Sequence, residues 1–187
     1  MGPIRSIAFA GREPSRAVAA RFSNLARTGV AERVKIPGEG KVLYTSTSRW
    51  DAMKTAIKFY KQTTDWDSAK RRGHLAGIDF GKPVEEVEFE EGKGVEQHQI
   101  KQEWQGSYYA EPGTEATRLG ISSEGMLDGV VVKKGTFPYT IAKNTTVLRT
   151  TAAPILDTWS NPENHVQTEG GGTQYFHPDR ARFQPKS

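Results

Sequence analysis

The sequence of 187 residues contains no cysteine, which excludes a disulfide framework, a thiolate nucleophile and any zinc site built on cysteine. It also contains no apolar run of roughly 18 residues, so it predicts no membrane-spanning helix. The chain has 4 histidines, and none of them pair at the spacing of metal ligands. The sequence therefore predicts no metal site.

The residues that are present indicate a folded protein with an uneven distribution of charge. Hydrophobic residues make up 35% of the chain, and the 4 Trp, 6 Tyr and 8 Phe are typical of a protein with a packed core. Residues 1–75 contain 15 Lys and Arg against 6 Asp and Glu, whereas residues 76–187 contain 11 against 16. The basic part could meet an acidic protein or nucleic acid, and a solvated helical surface explains it equally well.

The spacing of apolar residues predicts helices in the first part of the chain. Residues 14–29 form a short helical pattern, and residues 48–72 form a longer one that Ser48 can cap. The pair Thr63 and Thr64 is expected to break or kink the longer helix. The predicted buried stripe of that helix consists of Trp50, Met53, Ile57 and Tyr60.

The pattern changes to short strands after Gly73. Residues 78–100 alternate apolar and polar positions, and residues 126–154 are rich in Val, Ile and Thr. These features predict an α+β protein. We expect a mainly helical N-terminal subdomain over residues 1–73 and a β-rich, mainly antiparallel core over residues 74–187.

Two segments of the β-rich part have unusual composition. Residues 149–160, RTTAAPILDTWS, contain a single carboxylate, Asp157, in an otherwise strand-like and apolar segment. Residues 170–176, GGGTQYF, lack the Lys-Ser/Thr pair of a P-loop and lead into a strand. The three glycines fit either a tight β-turn or a close approach of the backbone to a ligand.

Four stretches in this order resemble the bacterial polymorphic toxin type 46 family, namely residues 74–99, 106–122, 149–160 and 170–176. The most specific signature of the family is met by Arg149, Thr150, Thr151, Pro154, Asp157 and Ser160, with Thr150 standing where Ser is commoner. The segment GGGTQ is also similar to the glycine-rich stretch of the tuberculosis necrotizing toxin, which is an NAD glycohydrolase.

The resemblance implies the toxin domain of an antibacterial effector, an NAD(P)⁺ glycohydrolase with a fold similar to ADP-ribosylating toxins. Such an effector is secreted by a type VI or related system and acts in the cytoplasm of the target cell. NAD⁺ or NADP⁺ would be its substrate, and no cofactor is implied. A cognate immunity protein would occlude the active site. The resemblance does not extend over the first 70 residues, and only the basic composition of residues 1–75 suggests delivery or docking on a target-cell protein. Nucleic acid is not an expected partner.

The chemistry that the resemblance implies assigns roles to individual residues. Cleavage of the nicotinamide–ribose bond passes through an oxocarbenium-like transition state, and the leaving group is already cationic, so the site needs a carboxylate rather than a general acid. Asp157 is predicted to be this carboxylate, and a turn cap with Ser160 as its partner is the other interpretation. Gln97 is the second predicted catalytic residue. The predicted substrate-binding residues are Gln99, Tyr108, Tyr109, Arg118, Thr150, Thr151 and Gln174, with one of the two tyrosines expected in the core.

Three other classes of protein stay open on the sequence alone. An ADP-ribosyltransferase toxin would use the same NAD pocket but transfer ADP-ribose to a protein or nucleic acid. A nuclease toxin is suggested by the net charge of +4, although the basic residues concentrate outside the motif region. A β-rich binding module with a helical arm is the non-enzymatic alternative.

Overall fold

The computed structural model describes residues 40–186, so the helix predicted over residues 14–29 lies outside the described residues. The described chain begins with strand β1 (Lys41–Thr45), helix α1 (Arg49–Thr63) and helix α2 (Ser68–Ala76). The remaining strands are β2 (Glu85–Phe89), β3 (Gly94–Gln99), β4 (Tyr108–Ala110), β5 (Glu124–Leu127), β6 (Val130–Lys133), β7 (Gly135–Ile141), β8 (Thr145–Thr151), β9 (Leu156–Asp157), β10 (Val166–Gln167), β11 (Thr173–Phe176) and β12 (Phe183–Pro185).

Eight strands form one sheet in the order β1-β2-β8-β11-β4-β3-β7-β12, and every pairing in it is antiparallel. Strands β5 and β6 form a separate hairpin, and β9 pairs with β10. The predicted α+β class with a mainly antiparallel core is therefore confirmed.

The sheet is strongly curved around its main hydrophobic core. Side chains from seven of its strands, from β2 near one edge to β12 at the other, gather in a single buried cluster. Tyr109 stacks on Phe183 with 3.8 Å between ring centroids, and Tyr175 meets Phe89 edge to face at 4.8 Å. A flat sheet would keep these strands far apart, so the aromatic contacts require the curvature.

Helix α1 packs on the other face of the sheet and follows most of the sequence-based prediction. Ser48 caps it by accepting a hydrogen bond from the backbone N–H of Asp51 at 3.2 Å. The helix ends at Thr63, which confirms the predicted break. Ala52, Ala56, Phe59 and Tyr60 pack in one buried cluster with Leu148 of β8 and Phe176 of β11.

The predicted buried stripe of α1 is wrong at its first position. Trp50 is 64% exposed, and Lys54 lies over its ring. The buried face runs through Ala52 and Ala56 instead, because two small side chains let the helix backbone approach the sheet closely. The spacing of large apolar residues therefore pointed to a face rotated away from the one that packs.

The described residues on the two sides of position 73 share elements of structure. Helix α2 runs from Ser68 to Ala76 across that position, and β1 is an edge strand of the eight-stranded sheet, whose other strands all follow position 73. Within residues 40–186, no helix has the length and apolar character needed to cross a membrane. The division into subdomains 1–73 and 74–187 stays a prediction.

The substitution Leu148→Ala tests whether helix α1 and the sheet unfold together. Leu148 is fully buried between them, so its truncation is expected to reduce the free energy of unfolding by about 2–5 kcal/mol. Helical circular dichroism and tryptophan fluorescence should report a single urea transition with one midpoint.

The matched control is Leu43→Ala on the edge strand β1, where the side chain is 47% exposed. This change should stay within about 0.5 kcal/mol of the wild type. A helical signal that melts separately in Leu148→Ala would contradict the shared core and support two independent subdomains.

Candidate active site

A cleft with a volume of about 1030 Å³ opens on the face of the sheet that α2 partly covers. Its walls come from α2, from β3 and β4, from residues 119–121 and from the segment that carries Asp157 and Trp159. This volume lies at the upper end of the range for small-molecule sites in proteins. The cleft can therefore enclose a ligand larger than a single ring system.

One row of residues in register crosses four strands, and three of its members, Glu96, Ala110 and Gln174, form part of the cleft floor. In the register of the sheet, Thr150 of β8 faces Gln174 of β11, Gln174 faces Ala110 of β4, and Ala110 faces Glu96 of β3. Residues in register across adjacent strands lie on the same face. The small side chain of Ala110 leaves space between the carboxylate of Glu96 and the amide of Gln174.

The alternation along β3 separates two sets of polar residues. Val95 belongs to the main core, so Gln97 and Gln99 point to the core face, whereas Glu96 and His98 point to the cleft face. The prediction that Gln97 and Gln99 share a face agrees with this arrangement. Glu96 was not among the predicted site residues, although the same alternation places it on the cleft face.

The side-chain amide of Gln97 is bonded to the protein backbone. Its Nε2 donates to the carbonyl of Tyr108 at 2.6 Å, and its Oε1 accepts from the N–H of Gly106 at 3.1 Å. Gln99 is similarly engaged, because its Nε2 donates to the hydroxyl of Tyr139 at 2.7 Å and to the carbonyl of Gln102 at 3.2 Å. Both residues contribute to the lining of the cleft, and their amides fix the loop that leads into β4.

The cleft lining contains two buried carboxylates, Glu96 and Asp157. Glu96 is 7% exposed, and its Oε1 accepts a hydrogen bond from the N–H of Gly113 at 2.9 Å. The Nε2 of His98 lies 3.8 Å from the same oxygen and 2.6 Å from the carbonyl of Thr114. The loop that contains Gly113 and Thr114 therefore holds both side chains of β3 that face the cleft.

The two predicted tyrosines of β4 have different environments, as expected. Tyr109 is buried in the main core, where it stacks on Phe183. Tyr108 lies in the cleft wall, and its hydroxyl is 2.9 Å from Nδ1 of His74 and 3.0 Å from the hydroxyl of Tyr60. Burial raises the pKa of Tyr108 well above its ordinary value and raises that of Tyr60 to about 12. Both phenols are therefore neutral at physiological pH.

His74 is a cleft residue whose role the sequence did not indicate. Its ring stacks on Trp66 with 3.9 Å between centroids and lies parallel to Tyr108. Burial, with a smaller contribution from the positive charge of Lys70, lowers the pKa of His74. The imidazole is therefore neutral at pH 7, and it lies nearly parallel to the rings of both Trp66 and Tyr108.

Asp157 is 3% exposed and accepts four hydrogen bonds, two on each carboxylate oxygen. Oδ1 accepts from the backbone N–H groups of Trp159 at 2.9 Å and Ser160 at 3.1 Å. Oδ2 accepts from the backbone N–H of Ser122 at 2.7 Å and from the hydroxyl of Ser160. The bonds to Trp159 and Ser160 are those of a turn cap. The same bonds fix the carboxylate in the cleft wall, as the predicted catalytic role requires.

The charge states of Asp157 and Lys134 follow from these contacts. Burial acts to raise the pKa of Asp157, but the hydrogen bonds from Ser122, Ser160 and Trp159 outweigh it, so the pKa lies below the ordinary value. Burial lowers the pKa of Lys134, and the negative charge of Asp157 opposes that shift. The sequence analysis did not identify Lys134, because it lies in a different part of the chain from the signature motif.

The glycine-rich segment packs against the signature motif. Gly170 has a φ of +66°, and a Cβ placed on it would lie 2.4 Å from the backbone nitrogen of Pro154. A Cβ on Gly172 would lie 2.6 Å from the carbonyl oxygen of Arg118. Gly170 and Gly172 therefore allow close contact with the backbone of the protein itself, and this packing explains these two glycines without a ligand.

Gln174, which follows the glycine-rich segment, is a buried amide in the cleft floor. It is 7% exposed, and its Nε2 donates to the carbonyl of Gly77 at 3.3 Å. Within residues 40–186, no group donates a hydrogen bond to the side-chain oxygen Oε1 of Gln174. Because Gln174 lines the cleft, this oxygen can accept a hydrogen bond from a bound ligand.

Three of the predicted binding residues do not line the cleft. Arg118 is exposed, and its described contact is a backbone carbonyl that accepts from Gly172. Thr150 is buried in the sheet next to Gln174, and the carbonyl of Thr151 accepts from Asp79. The other six predicted residues, Gln97, Gln99, Tyr108, Tyr109, Asp157 and Gln174, contribute to the cleft. The roles of all nine residues stay predictions.

The curved antiparallel sheet carries a large, mainly apolar cleft with a few polar side chains in its lining, which is the type of site in which proteins bind small molecules. The sequence model of the family described as bacterial toxin 46 matches residues 42–183. The chain therefore belongs to the bacterial toxin 46 family, and the resemblance seen in the sequence is confirmed. Within the described part of the chain, no cluster of His, Asp and Glu has the arrangement of a metal site.

Two comparisons, one of sequence and one of structure, match the toxin Tse6. The NAD(P)(+) glycohydrolase toxin Tse6 of Pseudomonas aeruginosa is 33% identical over 132 residues, which are 69% of this chain and 30% of that protein. The chain thus spans less than a third of that relative's length. The solved structure of Tse6 in complex with Tsi6 is 29% identical, with a TM-score of 0.64, and the match covers 76% of this chain and 98% of that chain.

A weaker match is the structure of Rhs1-CT in complex with its cognate immunity protein RhsI1. It is 17% identical with a TM-score of 0.43, covering 59% of this chain and 80% of that chain. A similarity of this degree does not define a common fold.

The substitutions Gly170→Ala and Gly171→Ala test the packing of the glycine-rich segment. Both glycines have positive φ, which costs alanine about 1–2 kcal/mol. Only Gly170 lies against backbone atoms, whereas a Cβ on Gly171 meets nothing within 4 Å. We expect Gly170→Ala to lose a further 1–3 kcal/mol or so in urea unfolding. Equal losses in the two variants would contradict the close approach of Gly170 to Pro154.

Proposed function

We propose that this domain hydrolyses NAD⁺ or NADP⁺ to nicotinamide and ADP-ribose or its phosphate, with no cofactor. The observation that carries the proposal is the 33% identity to an NAD(P)(+) glycohydrolase toxin over a match that covers 69% of this chain. The cleft supports it, because a volume of about 1030 Å³ suits a ligand with several linked rings.

Asp157 has the properties that the proposed reaction needs. Its pKa is lowered, so it is ionised at neutral pH, and four hydrogen bonds hold it in one position. A fixed negative charge in a poorly solvated wall stabilises positive charge that develops on a ribose ring. Because both oxygens already accept two hydrogen bonds, Asp157 acts by its charge and not as a covalent nucleophile.

The other predicted residues have supporting roles in this proposal. Tyr108 and His74 present an uncharged aromatic wall, and the free carbonyl oxygen of Gln174 can accept from a ribose hydroxyl. Gln97 acts through the backbone of Gly106 and Tyr108, which it holds in place. In this proposal, Gln97 positions the loop that leads into β4 and does not contact the substrate.

The biological setting belongs to the same proposal. An enzyme that destroys NAD would harm the cell that makes it, so a cognate immunity protein is an expected partner, and Tse6 was solved in complex with Tsi6. We propose a secreted effector that acts in the cytoplasm of the target cell. The basic residues 1–75 would serve delivery or docking on another protein.

The decisive measurement is chromatography of the products formed from NAD⁺ and, separately, from NADP⁺ by the purified chain. Wild type should release nicotinamide and ADP-ribose in equal amounts. Asp157→Asn keeps the size of the side chain but removes the charge, and we expect a loss in kcat of about 100-fold or more. Circular dichroism and a thermal melt verify that the variant is folded.

Glu96→Gln is the matched variant, because it neutralises the other buried carboxylate and keeps an oxygen for the N–H of Gly113. A smaller loss of activity than in Asp157→Asn is expected, because the amide oxygen keeps the contact that orders the loop at Gly113. Loss of activity in Glu96→Gln with retention in Asp157→Asn would transfer the electrostatic role to Glu96. Nicotinamide release with ADP-ribose bound to protein would indicate an ADP-ribosyltransferase, and survival of both dinucleotides would refute the proposed function.

A further inference from the structure

Lys134 is held at one position beside Asp157, between strands β6 and β7. Its backbone N–H donates to the carbonyl of Ser123 at 2.8 Å. A Cβ on Gly125 would lie 3.4 Å from Cε of Lys134, so the aliphatic stem packs closely there. The ammonium group donates to Oγ of Ser160 at 2.6 Å and to the carbonyl of Ser122 at 3.0 Å.

The proton inventory fixes the direction of the hydrogen bonds in this network. An ammonium group only donates, so Oγ of Ser160 must accept from Lys134. A serine hydroxyl has a single proton, and the carboxylate of Asp157 only accepts. The hydroxyl proton of Ser160 is therefore directed at Oδ2 of Asp157. Lys134 thus orients the hydroxyl of Ser160 so that it donates to the carboxylate of Asp157.

A second route through Ser122 connects the same two charges. The carbonyl of Ser122 accepts from Lys134, while its N–H donates to Oδ2 of Asp157. The segment around Ser122 and the turn at Ser160 are consequently both fixed between a cation and an anion. Lys134 also lines the cleft together with Asp157 and Ser160.

We propose that Lys134 is the positioning residue of the Asp157 carboxylate, acting through the hydroxyl of Ser160. This inference rests on the proposed function for its catalytic consequence, whereas the network itself does not depend on the substrate. Without the ammonium group, the hydroxyl of Ser160 can rotate towards water and Asp157 loses one of its four donors. The remaining backbone donors keep the turn folded.

The test compares Lys134→Met, which keeps the length of the side chain, with Lys134→Arg, which keeps donors and charge. Lys134→Met should reduce kcat for NAD⁺ hydrolysis by about 10- to 100-fold, the range for a lost hydrogen bond to a charged group, with little change in KM. Lys134→Arg should recover most of that loss. Lys133→Met is the control, because Lys133 is exposed on the neighbouring position and contacts none of these groups.

Combination with Ser160→Ala separates positioning from substrate binding. If Lys134 acts through Ser160, the double variant Lys134→Met/Ser160→Ala loses no more activity than the more impaired single variant. A rise in KM with unchanged kcat, or additive losses in the double variant, would show that the ammonium group binds the substrate directly and would overturn the proposal.

A measurement without substrate keeps the inference independent of the proposed reaction. The carbon-13 resonance of the Asp157 carboxyl reports its pKa, which should rise in Lys134→Met and in Ser160→Ala and stay unchanged in Lys133→Met. An unchanged pKa in the first two variants would refute the positioning role. If the pKa rises but wild type leaves NAD⁺ intact, the proposed function fails and the network stands.

Discussion

The pairing of strand β11 with β8 on one side and β4 on the other is the constraint on which the site depends. It brings the signature motif, which extends from β8, next to the glycine-rich segment that leads into β11. The glycines are needed because this pairing draws Gly170 onto the backbone near Pro154. The same register aligns Thr150, Gln174, Ala110 and Glu96 across the sheet. One set of backbone pairings therefore joins motifs that are remote in sequence and builds the floor of the cleft.

The second constraint is the cost of keeping carboxylates away from water. An unpaired buried charge is strongly unfavourable, and both carboxylates of the cleft receive backbone N–H groups, Asp157 from Ser122 and Glu96 from Gly113. These donors come from loops, so satisfying the charges also orders the loops that border the cleft. The requirement for hydrogen bonds thus links the electrostatics of the site to its shape. A rigid wall is the structural result, which a preorganised catalytic charge requires.

The sequence predicted those features that depend on local chemistry. The cap at Ser48, the break after Thr63 and the antiparallel class follow from short-range patterns, and the structure confirms them. The buried face of α1 was wrong because tertiary packing selected small alanines over the large residues that dominate a hydrophobic pattern. Lys134 could not be predicted, since its partners Ser122 and Ser160 are brought together only by folding. Alternation along β3 did contain the information that Glu96 faces the cleft, and the resemblance directed attention to Gln97 instead.

The saturation of Asp157 also bears on the choice between hydrolysis and transfer. In the proposed reaction, a carboxylate that already accepts four hydrogen bonds acts by its charge, so a ribose cation formed beside it would be captured by whichever nucleophile reaches it. Water enters a cleft of about 1030 Å³ readily, whereas a protein acceptor needs a surface that holds it against the opening. Under the proposed function, the residues of the site promote bond cleavage, and access to the cleft determines the product. Binding of a protein over the opening would suppress both outcomes, because it would exclude the dinucleotide itself.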